Sequence, residues 1–293
     1  MITRAQLASL GRRTGMNLYQ QEKDYALKLF LFNYFRRFKG AVFKGGTCIK
    51  YLFGTERFSE DLDFNLLTTP SEFGTEVRRT LKELESVGMT YGFIREEVFD
   101  DAYTCEIWFH GPLYDGKVQN RNRFRIDAGK RTGLEMEPRW LLIGSEYPET
   151  RERFLICAMD ASEILVEKVL ALRERRKGRD LYDIWFLLQG GISIDKQLYR
   201  KKSGNAAGRG MVSRAEYERD MKKLARNPPE YGQLKREVEE GPERSGAIKR
   251  RPAPSPHAPS PPAPGWRSGR NVRGQGARCQ LIFSYTSNIH IPV

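Results

Sequence analysis

The sequence predicts an α+β protein, and three observations carry that expectation. Segments of helical and strand periodicity alternate from about residue 20 to residue 130, the pattern of a sheet with flanking helices. From Asp160 to Gly191 the period is helical throughout. After Gly241 the apolar periodicity stops, and proline and arginine take over. These breaks divide the 293 residues into an α/β domain at 1–155, a helical region at 156–240 and a tail at 241–293.

The first helix is expected over residues 20–38, QQEKDYALKLFLFNYFRRF. Tyr25, Leu29, Phe32 and Phe35 fall on one face there, and basic residues close the last turn. AVF, residues 41–43, is a short strand. CIKYLFG reads as a helix broken by Gly54, and DLDFNLL as a strand with alternating faces. A helix near 71–87 follows, then strands in TYGFIREEVF, AYTCEIWFH and NRFRIDAG. In the helical region, Asp160 and Glu163 have the spacing of a capping box, and Leu165, Val169 and Leu172 form a stripe. Lys177 and Gly178 mark that helix's end. A second helix carries Leu181, Ile184, Trp185 and Leu188 and stops at Gly190-Gly191. Within the charged stretch 195–240, RAEYERDMKKLAR is the best helix candidate.

Composition narrows the function classes. No apolar run approaches the roughly 18–20 residues of a membrane span, and MITRAQLASLGRRTGMN has no apolar signal core. A cytoplasmic protein that does not engage a membrane is expected. Cysteines at 48, 105, 157 and 279 and histidines at 110, 257 and 290 are scattered without Cys-x-x-Cys spacing, so reduced thiols are expected rather than a structural zinc. The net charge of +13 points to a polyanionic partner. Eight Lys/Arg against the single acid Glu243 put +7 of it in residues 241–293, leaving +6 for residues 1–240. Eight of the fifteen prolines lie between Pro242 and Pro264 of that tail, so it is predicted to be disordered and to bind polyanions with little selectivity.

Chemistry concentrates in KGGTCIKYLFGTERFSEDLDF, residues 44–64. On a strand, Asp61 and Asp63 point to one face while Leu62 and Phe64 point to the core, so both carboxylates reach one cation. Mg²⁺ prefers such oxygens together with phosphate. A solvated strand edge produces the same pattern. Upstream, Gly45 and Gly46 lie between a strand and a helix start, a phosphate cradle to which Thr47 adds a hydroxyl. Two glycines also make an ordinary turn, and no Gly-Lys-Ser/Thr follows them. Asp127 in FRIDAG is placed either as a third metal acid or as the cap of the turn before Gly129. Lys168 is either a phosphate ligand or a surface lysine paired with Glu163 or Glu167. Asp180 shares a helix face with Asp183 and could equally be an N-cap. Arg175, Arg176, Lys177 and Arg179 offer a phosphate site or a solvated turn.

KGGT, then ERFSEDLDF, then SEILVEKVLALRERRKGRDLYDIWFLL resemble the AbiEii/AbiGii toxin family of nucleotidyltransferases, related to the DNA polymerase β superfamily, from about Glu22 to Leu188. The resemblance implies a nucleotidyltransferase-type mixed sheet with flanking helices, followed by a helical C-terminal region. It implies a toxin of a toxin–antitoxin or abortive-infection system, with a cognate antitoxin as partner. Its reaction moves a nucleoside monophosphate from an NTP to an acceptor hydroxyl, with RNA or tRNA as acceptor, two Mg²⁺ ions as cofactor and pyrophosphate as product. By motif, Gly45, Gly46 and Thr47 are the first signature, Asp61 and Asp63 the metal acids, and Lys44 faces a phosphate. Lys168 holds the triphosphate, Asp180 is the last active-site acid, and Asp183 matches the same segment. Asp127 corresponds to the superfamily's third acid. Thr47 stands where the wider superfamily has serine, and the helical C-terminal part is short. A chain that has lost catalysis and binds nucleotide or nucleic acid is the alternative.

Overall fold

The computed structural model describes residues 1–130, 133–175 and 177–205. The helix expected in RAEYERDMKKLAR and the proline-rich tail lie outside the described residues.

The described chain runs α1 (Arg4–Thr14), α2 (Leu18–Arg37), β1 (Ala41–Lys44), α3 (Gly45–Phe53), β2 (Asp61–Leu66) and α4 (Pro70–Ser86). It continues through β3 (Thr90–Val98), β4 (Ala102–His110), β5 (Asn122–Gly129), β6 (Arg139–Gly144) and β7 (Arg153–Ala158). Helices α5 (Ala161–Arg175), α6 (Gly178–Gln189) and α7 (Lys196–Asn205) follow. The helix starts are written locally: Thr3 with Gln6, Asn17 with Gln20 and Thr69 with Glu72 each form a capping box. Gly54 ends α3 in the left-handed conformation, as the break in CIKYLFG predicts.

Seven strands form one mixed sheet in the order β3-β4-β5-β2-β1-β7-β6. The central pairs β2–β5 and β1–β7 are parallel, while β1–β2, β3–β4, β4–β5 and β6–β7 are antiparallel. One face buries Leu62, Phe64, Ile107, Phe109, Phe124 and Ile126 in a core shared with Phe30, Tyr34 and Phe73 of α2 and α4. The α+β class with flanking helices is therefore what the chain adopts. Among the described residues no helix is long and apolar enough to cross a membrane.

Three differences from the sequence expectation have physical causes. Helix α2 is buried on almost every side rather than along one stripe, and Glu22, Lys23, Asp24 and Lys28 go inward with the apolar residues. Each finds a partner there: Asp24 takes Lys50 Nζ at 2.7 Å and Tyr147 Oη at 2.8 Å, and Glu22 takes Asn122 Nδ2 at 2.9 Å. Strands β6 and β7 were not expected: β6 exposes most of its side chains, and β7 alternates only over Arg153–Ile156 before Cys157 and Ala158 are both buried. Strand β7 pairs with β1 and continues past residue 155, where composition drew a boundary. Finally, Asp160 and Glu163 do not make a capping box. Asp160 Oδ1 accepts from Ser162 N, while Glu163 is fully buried and accepts from Glu135 N and Met136 N at 2.9 and 3.0 Å.

Candidate active site

The first part of the site is the turn from β1 into α3. Gly45 has φ +80°, and a Cβ there would overlap Oδ2 of Asp63. A Cβ on Gly46 would overlap the guanidinium of Arg57. The two glycines thus let a carboxylate and an arginine close onto the backbone at the α3 N-terminus. Thr47 is fully buried, and its hydroxyl donates to the Asp61 carbonyl at 2.6 Å with Ser59 Oγ 2.9 Å away. The expected phosphate hydroxyl instead anchors the start of β2.

The acids come next. Lys44 of β1 is in register with Asp63 of β2, and Asp63 is in register with Asp127 of β5. Leu62 and Phe64 are buried, so Asp61, Asp63 and Asp127 share the opposite, less buried face. Burial, then the charges of Asp63, Glu60 and Asp127, push the Asp61 carboxyl up to about 6. Asp127 accepts from Thr104 Oγ1 at 2.6 Å and from Arg125 Nε and Nη2, both at 2.9 Å. Those bonds orient it along the sheet face rather than capping the turn at Gly129. Among the described residues no three acid, His or Cys side chains converge as a ready metal cluster. The donor chemistry nevertheless suits Mg²⁺: oxygen only, with negative charge crowded enough to raise the proton affinity of Asp61.

The third part comes from the helical region. Lys168 is 8% exposed and pairs with Asp180 at 3.2 Å and Asp183 at 2.9 Å. Arg57 meets Asp183 in a two-point fork, Nε to Oδ1 and Nη2 to Oδ2 at 2.9 Å each. Lys168 is thus not a surface lysine paired with Glu163 or Glu167, and Asp180 is not an N-cap: Lys177 occupies that position. A buried ammonium needs opposite charge, and α6 supplies two carboxylates while Glu163 and Glu167 of α5 pair with Lys202 and Lys44. Lys177 and Arg179 are exposed, and the side chains of Arg175 and Arg176 lie outside the described residues.

A family model, the nucleotidyl transferase AbiEii toxin of type IV toxin–antitoxin systems, matches residues 29–254. The chain belongs to the AbiEii family. The match passes Gly241, where composition changes, and enters the proline-rich segment. Among solved structures the chain is similar to MenT4, a nucleotidyltransferase toxin from Mycobacterium tuberculosis. That likeness has 20% identity and a TM-score of 0.54, covering 82% of this chain and 88% of that one. At that identity it is a likeness of fold. JHP933 from Helicobacter pylori is similar at 16% identity and a TM-score of 0.46, over 71% of this chain and 77% of that one. The comparison with curated proteins finds no match.

In this AbiEii-family chain a buried line of charge also joins the site to the last described helix. Lys44 Nζ lies 3.1 Å from Glu167, Glu167 2.8 Å from Lys202, and Lys202 2.7 Å from Glu163. Lys202 also donates to the Gly133 carbonyl at 3.1 Å. The sequence reading missed Arg57, Ser59, Glu167 and Lys202 as site residues. Arg57 and Ser59 sit inside ERFSEDLDF and Glu167 inside the EK pair, so position beside a motif was their available signal. Lys202 had none, since KK in a charged helix reads as solvated surface.

Proposed function

We propose that this AbiEii-family protein transfers a nucleoside monophosphate from an NTP to an acceptor hydroxyl of RNA, with tRNA as the acceptor class, releasing pyrophosphate. The observation that carries this reading is the row Lys44, Asp63, Asp127 across three strands, seated on the glycine that admits Asp63 to the α3 N-terminus. Asp61 and Asp63 would hold Mg²⁺, with Asp127 completing the set. Two bound ions would neutralise the triphosphate and lower the pKa of the acceptor hydroxyl. The backbone of Gly45 and Gly46 faces the phosphates, and Thr47 keeps Asp61 in place through its carbonyl. Lys44 would balance the charge that builds as pyrophosphate leaves, and Lys168, which pairs with Asp180 and Asp183, would hold the triphosphate. A cognate antitoxin is the expected protein partner, as membership of a type IV toxin–antitoxin family implies.

Incubation with Mg²⁺, each labelled NTP in turn and total tRNA tests the reading. Wild type is expected to label RNA from at least one NTP, and Asp61→Ala and Asp63→Ala to lose at least about a hundredfold of that rate. Label transfer that survives both substitutions sinks the assignment. A wild type that binds nucleotide or RNA yet labels nothing indicates a chain that has lost catalysis.

A further inference from the structure

The sheet face that carries the acids continues outward in rows set by strand register. Asp63, Asp127 and Thr104 form one row, and Asp61, Arg125 and Glu106 the next. Arg123 and Trp108 form the row after that. Rows on one face repeat every two residues, so Trp108 and Arg123 lie about 13 Å along the strands from Asp127. Past them Arg121 lies over the Trp108 ring, its guanidinium carbon 4.3 Å from the centroid.

That arrangement is fixed from several sides. Arg121 Nε donates to His110 Nε2 at 2.9 Å. Because arginine can only donate, His110 Nε2 must accept, which leaves Nδ1–H for Thr90 Oγ1 at 2.8 Å. The His110 ring in turn stacks on Tyr114, centroids 3.6 Å apart and planes within 4°. Directly across the strand pair from Trp108 is Gly92, where any Cβ would strike the indole. The terminal amino groups of Arg121 have no hydrogen-bond partner among the described residues, and the Arg123 side chain, 64% exposed, pairs with Glu106 at 3.2 Å at the rim. Tyr19 and Val118, both exposed, close a cleft of about 380 Å³ over these groups.

We propose that this cleft is the acceptor-strand site: a single-stranded nucleic acid stacks a base on the Trp108–Arg121 platform and sets its phosphates against Arg121 and Arg123. The aromatic ring and planar guanidinium supply the stacking, and the arginines complement the phosphates. Continuity with the acid rows gives the strand its direction. About 13 Å is the length of about four stacked nucleotides at ~3.4 Å each, so a strand seated here and running along the face would bring its end to the row of Asp63 and Asp127. The site rests on the proposed nucleotidyl transfer for its purpose, but its occupancy is measurable without any catalysis.

Fluorescence anisotropy of the full chain with labelled 12-mer oligo(A), as RNA and as DNA, reads that occupancy. Trp108→Ala and Arg123→Ala are each expected to weaken binding about tenfold, the value of one lost base stack or charged phosphate contact. Arg121→Lys, which keeps the charge and loses the plane, is expected to bind like Arg121→Ala. A 12-base-pair duplex, whose base faces are hidden, is expected to bind more weakly than either single strand, and tighter RNA than DNA binding assigns RNA as the source. In the label-transfer assay the same variants raise the KM for tRNA and leave the KM for NTP unchanged. Unchanged oligonucleotide affinity in Trp108→Ala and Arg123→Ala overturns the site. So does a wild-type Arg121→Lys, or displacement of the oligonucleotide by poly-glutamate as readily as by unlabelled oligo(A), since either reduces it to charge alone. Failure of the wild type to label RNA, with oligonucleotide binding still sensitive to Trp108, sinks the catalytic reading and leaves the site standing.

Discussion

Asp61 shows how one side chain carries both a cost and a use. Its carboxyl is pushed up to about 6 by burial and by Asp63, Glu60 and Asp127, whereas an unfolded aspartate sits near about 3.9. The folded protein therefore binds this proton more tightly than the unfolded chain. The group's contribution favours folding most below about pH 4 and is lost as pH rises through about 6. Asp61→Asn is thus expected to abolish transfer yet raise the apo protein's Tm at pH 7.5 by about 2–4 °C, the equivalent of about 1 kcal/mol in a chain of this size. Added Mg²⁺ should raise the wild-type Tm at pH 7.5, raise it less at pH 5.5, and raise the variant's least. Thermal melts across those conditions check this, and a lowered Tm for the variant would contradict it. The shared face of Asp61 and Asp63 was legible from a period of two in DLDF. The reason for Gly45 and Gly46 was not, because the groups they admit, Asp63 and Arg57, approach from later in the chain.

Helix α6 shows what periodicity alone cannot rank. Its sequence offers Leu181, Ile184, Trp185 and Leu188 as an apolar face, but the buried residues are Asp180, Asp183, Ile184 and Leu187, with Trp185 and Leu188 40% and 38% exposed. The rotation is set by partners outside the helix: Lys168 and Arg57 both need carboxylates, and turning α6 to serve them turns Trp185 outward. Helix α7 depends on the same currency of paired charge. Lys202, fully buried, bridges Glu163 and Glu167 and so ties α7 to α5 and to Lys44. Lys202→Met leaves those carboxylates short of a cation and is expected to cost about 3–5 kcal/mol in urea unfolding. Adding Glu163→Gln should recover part of that loss, since neighbours in one network are not additive. A cost within about 0.5 kcal/mol for Lys202→Met would show that the bridge is solvated in solution.

Over the whole sequence the positive charge is divided unevenly. Residues 241–293 carry +7 of the +13, while Arg123 lies on the acid-bearing sheet face, two rows from Asp127, with Arg121 just before β5. Non-selective attraction to RNA scales with the number of phosphates neutralised, at a slope of about 0.7 per contact for single strands. Truncation after residue 240 is therefore expected to flatten the salt dependence of oligonucleotide binding while the Trp108→Ala effect persists. A truncation that removes the Trp108 effect as well would place the binding in the tail. Helix α2, most strands and the two acid-bearing motifs were legible because each is written in neighbours within a few residues, whereas α1 was not expected. Strands β6 and β7 were not, since the edge position of β6 leaves its side chains exposed and the buried end of β7, between β1 and β6, breaks its alternation.

The sequence by itself determined the helix starts at Asn17 and Thr69, the left-handed stop at Gly54, the common face of Asp61 and Asp63, and the family. Only the tertiary structure decided which charge meets which. Local spacing pairs Lys168 with Glu163 or Glu167, and puts Thr47 on a phosphate. In the folded chain Lys168 goes to α6, Glu167 to Lys44 and Lys202, Glu163 to two backbone N–H groups, and Thr47 to the Asp61 carbonyl. The physical reason is desolvation: a charge or hydroxyl removed from water takes the partner that burial brings to it, and that partner is set by packing across the fold.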